Sequence, residues 1–288
     1  MISKEEIAKG LHPLEKSRHT VAIATCFILL VATLGSILLL ILVASLIRWI
    51  ALRISEAKLC SNGIIVSEIN FRDIYRIAED VKIDLDYKER ISIFIANDGD
   101  VNASTARFFK SKYIVLTSGL VESMSGAHNE IQLKWIIARF IGDFKARRVR
   151  SEWVKVFIDK VRETQLFNFF ILPYDRKLVY SGDNIGLIVC KNLNEVMKAF
   201  DKLLIGKELS TRLNYRGVLE QSINVEGSFF SKVSKLLSTH PHMISRYLNL
   251  LAFARKQFPE QFEQYVEQFD TTTASSIGSM LPKYYLRT

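Results

Sequence analysis

Residues 20–47 run TVAIATCFILLVATLGSILLLILVASLI, 28 positions without a charged side chain. A run this long must be lodged in lipid or deep inside a core, which restricts the fold more than any other feature of the chain. As one helix it measures roughly 40 Å, against about 30 Å of bilayer hydrocarbon. It reads as one tilted membrane-spanning helix, because each of two spans would be too short. Gly35-Ser36 marks a kink or a packing face within it, and Trp49 lies just beyond, where an indole favours the interface. A cleaved signal peptide fits less well, since the run is long and ends in Arg48-Trp49-Ile50 rather than in small residues. Lys4, Lys9, Lys16 and Arg18 precede it and Arg48, Arg53 and Lys58 follow, so flanking charge barely orients the span.

The remaining length suffices for one globular domain in a chain of 288 residues. The net charge of +9 and the pI near 9.4 call for an anionic neighbour. For an anchored chain that neighbour is the lipid headgroup layer. Nucleic acid is not expected, because no finger spacing, aromatic-basic motif or purely basic tail is present. Cys26, Cys60 and Cys190 form no disulfide framework and read as reduced thiols. The basic balance and the missing framework favour a single-pass protein with a cytoplasmic domain.

The organisation reads as a stub (1–19), the span (20–47), a juxtamembrane connector (48–63), a domain (64–270) and a polar, loosely ordered tail (271–288). Within the domain, Ile69, Ile74, Ile77, Ala78 and Val81 recur at helical spacing over 68–81. Residues 91–95 and 112–117 are β-branched strands, the first closed by Asn97-Asp98-Gly99-Asp100. Residues 130–148 read as an amphipathic helix, 151–172 as an apolar, aromatic stretch, and 175–190, 193–204, 229–237 and 243–258 as further helices. The class is therefore α+β: helix-rich, with a small sheet of two to four strands beside the helix at 130–148.

That helix contains Trp135-Ile136-Ile137-Ala138-Arg139-Phe140-Ile141-Gly142-Asp143-Phe144-Lys145. Before it come Asn102-Ala103-Ser104-Thr105-Ala106 and Tyr113-Ile114-Val115-Leu116-Thr117-Ser118-Gly119-Leu120. After it come Asp175-Arg176-Lys177-Leu178-Val179-Tyr180-Ser181-Gly182-Asp183 and Ser238-Thr239-His240-Pro241 with Arg246. In order and spacing these segments resemble the HtpX-like and CAAX-prenyl-endopeptidase-like membrane zinc metallopeptidases. There Asn-Ala-x-Ala and Thr-x-Gly-Leu strands precede a His-Glu-x-x-His helix, followed by Ser-Arg-x-x-Glu-x-x-Ala-Asp and His-Pro…Arg segments. The resemblance implies a zincin-like (gluzincin) domain over roughly residues 65–255.

The departures fall on the chemistry. A zinc helix needs imidazoles at i and i+4 on one face and a Glu beside the first to activate water. Arg139 and Asp143 stand at the ligand positions, Phe140 at the base and Val179 at the third ligand. Asn102, Gly119, Arg176, Asp183, His240 and Arg246 keep the family's residue. His12, His19, His128, His240 and His242 all lie off this helix and build no substitute site, so neither metal nor cofactor is expected. Arg139 and Asp143 are i, i+4 neighbours, and the family's counterpart of Asp183 supports the zinc ligands. Arg139 is thus expected either to pair with Asp143, Asp183 or both, replacing the metal as cross-link, or to reach solvent while Phe140 and Val179 fill the pocket. Cys190, Ser118 and Ser181 lack the partners of a nucleophile.

The expected function is that of a catalytically inactive, membrane-anchored peptidase homologue acting as a protein-binding regulator or scaffold. In active relatives a substrate strand pairs with the edge strand over the zinc helix. The corresponding surface here is Ala103, Phe108, Tyr113 and Val115, and backbone pairing of this kind needs no metal. One alternative is a structural subunit of a membrane complex that uses its span and aromatic segment. Another is a hydrolase with a non-standard mechanism.

Overall fold

The helix carrying Arg139 is buried on nearly every side, and the other elements are arranged around it. The structure, a computed structural model, describes residues 14–32, 36–108, 111–124, 129–149, 168–218, 241–282 and 285, together with 3, 6, 10, 12 and 126. In chain order the described elements are α1 (Glu15–Ala32), α2 (Ser36–Asn62), β1 (Gly63–Ile65), α3 (Arg72–Asp84), β2 (Ser92–Ala96), β3 (Ala103–Phe108), β4 (Ser111–Thr117), α4 (Ser118–Met124), α5 (Glu130–Val149), α6 (Asn168–Cys190), α7 (Leu193–Ile205), the short α8 (Lys207–Ser210), α9 (Met243–Gln257), α10 (Pro259–Val266) and α11 (Thr271–Met280). The class is α+β, helix-rich with one small mixed sheet. His128, His240, most of the aromatic stretch at 151–172 and the helix read at 229–237 lie outside the described residues.

The sheet order is β1-β2-β4-β3. β2 and β4 run parallel, with Ile93 opposite Ile114 and Ile95 opposite Leu116, while β1 and β3 flank them antiparallel. The β-branched runs at 92–96 and 111–117 take the two interior positions, as residues that bury both faces of a strand do. β4 is therefore paired on both sides. Tyr113 and Val115, read as part of a binding edge, have no open backbone side; among the described residues the edge strand there is β3. The turn read at Ser61-Asn62-Gly63 ends α2 and opens β1.

α3 buries Ile74, Ile77, Ala78 and Val81, its i, i+3, i+4, i+7 stripe. Ile69 does not join that stripe. It is 93 % exposed, because the helix begins only after Phe71, whose positive φ of 58° breaks the helical path. α5 is less amphipathic than its sequence suggests. Leu133, Trp135, Ile136, Ile137, Ala138, Ile141, Phe144 and Ala146 are all buried, because α3, α6 and α7 pack around it.

The crossing of α5 and α6 is set by glycines. A Cβ on Gly142 would lie 2.4 Å from Ile185 Cγ2, one on Gly182 would lie 2.9 Å from the Arg139 carbonyl oxygen, and one on Gly186 would lie 2.6 Å from Trp135 Cδ1. Without side chains at these points the backbones approach closely, and residues 139–143 face 179–183.

Three parts differ from the sequence reading. Residues 20–47 are shared between α1 and α2, with the second helix opening at Ser36. Among the described residues no helix is long and apolar enough to cross a membrane. The segment read as a stub makes contacts with α6: His12 N–H donates to Ser181 Oγ at 3.1 Å, Ser181 Oγ donates to Glu15 Oε2 at 2.5 Å, and Asn184 Nδ2 donates to the Gly10 carbonyl at 3.1 Å. The segment read as a loose tail contains α11, capped by Asp270, whose Oδ1 accepts from Thr273 N–H at 3.0 Å. α11 buries Thr273 and Ile277.

Candidate functional site

Between the edge strand β3 and the paired helices α5 and α6 lies a cleft of about 460 Å³. Asn102, Ala103, Ser104 and Thr105 form one wall; Arg139, Phe140 and Asp143 from α5 form the floor; Val179 and Gly182 from α6, with Met243 and Arg246 from α9, form the other side. The i, i+4 spacing puts Arg139 and Asp143 on one face of α5. The glycine contact at Gly182 brings α6 against that same face.

Asp183 is the centre of the floor. Its side chain is fully buried, and it meets two guanidinium groups that are themselves 11 % and 9 % exposed. Arg139 Nε lies 3.1 Å from Oδ1. Arg246 binds both oxygens, Nε donating to Oδ2 at 2.8 Å and Nη2 donating to Oδ1 at 2.9 Å. This fork is the strong, directional form of the interaction. One carboxylate thus ties α5, α6 and α9 together. Trp135 Nε1 donates to the Asp183 carbonyl at 3.3 Å and fixes the same residue through its backbone.

Aromatic faces support both cations. Arg139 Cζ lies 4.9 Å from the Phe140 ring centroid and 5.5 Å from that of Trp135; Arg246 Cζ lies 5.0 Å from that of Phe200. Burial first, then the nearby Arg246 charge, pushes Arg139 down to about 10, against the opposing pull of Asp183 and Asp143. It remains a cation at neutral pH. Charge therefore nearly balances: two guanidinium groups against Asp183 and the half-buried Asp143.

The structure brings Arg139, Asp143, Asp183 and Arg246 to one place, with Phe140 and Val179 lining it. Asn102 starts the edge strand: its N–H donates to Thr117 Oγ1 at 3.0 Å, and Thr117 Oγ1 donates to its carbonyl at 2.8 Å. Gly119 allows a close approach, since a Cβ there would lie 2.3 Å from the Gly99 carbonyl oxygen. Arg176 is not in the cleft; it acts on Lys177, which burial, then Arg18 and Arg176, push down to about 8. Ala103 lines the cleft. Phe108 lies at the far end of β3, paired with Ser111. His240 lies outside the described residues.

The other candidates have structural places. Ser118 Oγ donates to the Asp98 carbonyl at 2.9 Å in a turn. Ser181 is fully buried against His12 and Glu15. Burial drives the Cys190 thiol up to about 12, and it donates to the Ile131 carbonyl at 3.7 Å. Among the described residues no three His, Cys, Asp or Glu side chains converge as a metal site.

The sequence reading missed two things. One is that Arg246 supplies two of the three contacts to Asp183. The other is that Gly182 and Gly186, spaced as a small-xxx-small pair, govern the helix crossing; that spacing was the available signal. No family model matches the chain, and neither does any curated protein or solved structure.

Proposed function

We propose that this chain is a membrane-attached, non-hydrolytic relative of the HtpX-like and CAAX-prenyl-endopeptidase-like zincins, and that its cleft binds an extended protein segment. One observation carries the reading. The Arg139–Asp183–Arg246 cluster lies on the floor of a cleft whose wall is a strand edge with no further strand beside it among the described residues. A strand edge offers rows of N–H and C=O groups to a further strand. The cluster holds the three helices beneath that edge in place by ion pairing, the role the resemblance assigns to zinc. Asp143 and the arginines beside β3 give the bound segment polar contacts at its ends or side chains.

The test has two arms. A reduced, carboxymethylated unfolded protein is the probe in a binding titration. Along β3 successive N–H groups alternate between β4 and the open side, so either Ser104→Pro or Thr105→Pro removes an outward donor. That variant is expected to weaken binding at least tenfold, while its neighbour disturbs the ladder instead. The same probe is then incubated with the protein, with and without chelator. Cleavage that chelator abolishes would overturn the reading. The structural-subunit alternative draws on the exposed apolar residues of α2; crosslinks from Leu42 but none from Ser104 would favour it.

A further inference from the structure

Both flanks of the apolar run are tied to the folded body. Ahead of the run, the His12 backbone and the Glu15 carboxylate are held by Ser181, and Gly10 by Asn184, all on the α6 side. Within α1, Ala22 and Cys26 are buried, and the His19 ring lies 5.0 Å from that of Tyr174 on α6. Behind the run, Tyr113 on β4 donates to Glu56 Oε1 at 2.7 Å, and Gly63 pairs with Ala96 in the sheet. Both flanks therefore belong to one folded unit, on one side of any membrane it touches.

Between those flanks the surface is apolar and open. Phe27 and Ile28 on α1 are 63 % and 64 % exposed, and Leu40, Leu42, Leu46 and Ile47 on α2 are between 58 % and 67 % exposed. At about 100° per residue these four α2 positions point to several sides of the helix. A helix resting on a protein core keeps a polar face toward water; one that is apolar all round is surrounded by apolar medium. Residues 20–32 and 36–47 are each about 20 Å long as helix, well short of a bilayer's ~30 Å but enough for one leaflet. Exposed Arg18 precedes the run and exposed Arg53 and Lys58 follow it, charges that suit anionic headgroups.

We propose that the chain is monotopic: residues 20–32 and 36–47 enter a single anionic leaflet, and their outer flanks lie on one and the same side of the bilayer. This rests on the membrane attachment proposed above and is independent of the cleft.

The full-length protein is tested in sealed membrane vesicles from the expressing cells. Cys60, which is exposed, reports the side of the domain. Ser3→Cys adds a reporter ahead of the run. A membrane-impermeant maleimide is applied before and after detergent. The expected result is that positions 3 and 60 are labelled from the same side. Labelling from opposite sides overturns monotopic insertion and leaves attachment standing. In flotation with phosphatidylcholine–phosphatidylglycerol vesicles the protein is expected to float, and Leu40→Arg with Leu46→Arg is expected to cut the floated fraction at least tenfold at an unchanged melting temperature. A wild-type protein that stays at the bottom of the gradient overturns attachment itself, and this inference with it.

Discussion

Asp183 is a fully buried anion between two cations, and its energetics follow from that position. A buried ion pair adds little against a well-packed apolar substitute, but removing one partner leaves the others charged and desolvated. Asp183→Asn strands two guanidinium groups and is expected to cost about 3–5 kcal/mol in urea unfolding. Arg139→Met leaves Asp183 with the Arg246 fork and is expected to cost less, about 1–3 kcal/mol. Equal effects would mean that the cluster is not an ionic unit. Asp201 offers a second test. Its side chain is buried, Oδ2 accepts from the Tyr215 hydroxyl, and among the described residues Oδ1 has no hydrogen-bond partner. Burial raises its carboxyl to about 6. The folded state thus holds this proton more tightly than the unfolded chain, whose Asp titrates near 3.9. This group therefore makes stability fall as pH rises through about 4 to 6, and level off above. Asp201→Asn is expected to flatten that slope and to stabilise the protein at pH 7 by about 2–3 kcal/mol. A melt series between pH 4 and 8 reads it. The shared face of Arg139 and Asp143 was legible from helical spacing, and Asp183 was singled out by the resemblance. The grip of Arg246 was not, because it depends on where α9 docks, which no local pattern encodes.

At the scale of elements, the α5–α6 contact decides whether the cluster forms. Gly182→Ala puts a methyl group 2.9 Å from a backbone oxygen that cannot rotate away. The helices must then separate, at an expected cost of about 1–3 kcal/mol. Gly278→Ala in α11 is the control: apart from its chain neighbours and its own helix backbone, no described atom lies within 4 Å of the added carbon. It is expected to stabilise by about 0.5–1 kcal/mol through helix propensity. Thermal melts of the two variants should move in opposite directions. Elements with strong periodicity, such as α3 and the interior strands, could be read from sequence because pattern and burial agree. α11 could not, since Thr271 to Ser276 look like loop residues until Asp270 caps them. The edge was placed on the wrong strand for Tyr113 and Val115, because strand order is a tertiary property.

At the scale of the whole molecule, positive charge and open apolar surface occur together around the first two helices. The net charge of +9 adds a long-range attraction toward an anionic membrane, whatever the local contacts. The sequence shows the run's lack of charge at sight but not its division between two helices. It could not show that the residues before and after the run return to one body, because those contacts join positions far apart in the chain. Asn184 makes this plain. Its side-chain amide donates both to the Gly10 carbonyl and to the Tyr285 hydroxyl, the latter at 2.7 Å. During synthesis the ribosome releases residues 20–62 long before residue 285 exists. Throughout that interval the greasy helices are complete while the seat that receives them is unfinished. On the monotopic insertion proposed above, the leaflet shelters these helices from the start, and Asn184 with Tyr285 fastens the residues ahead of them only later.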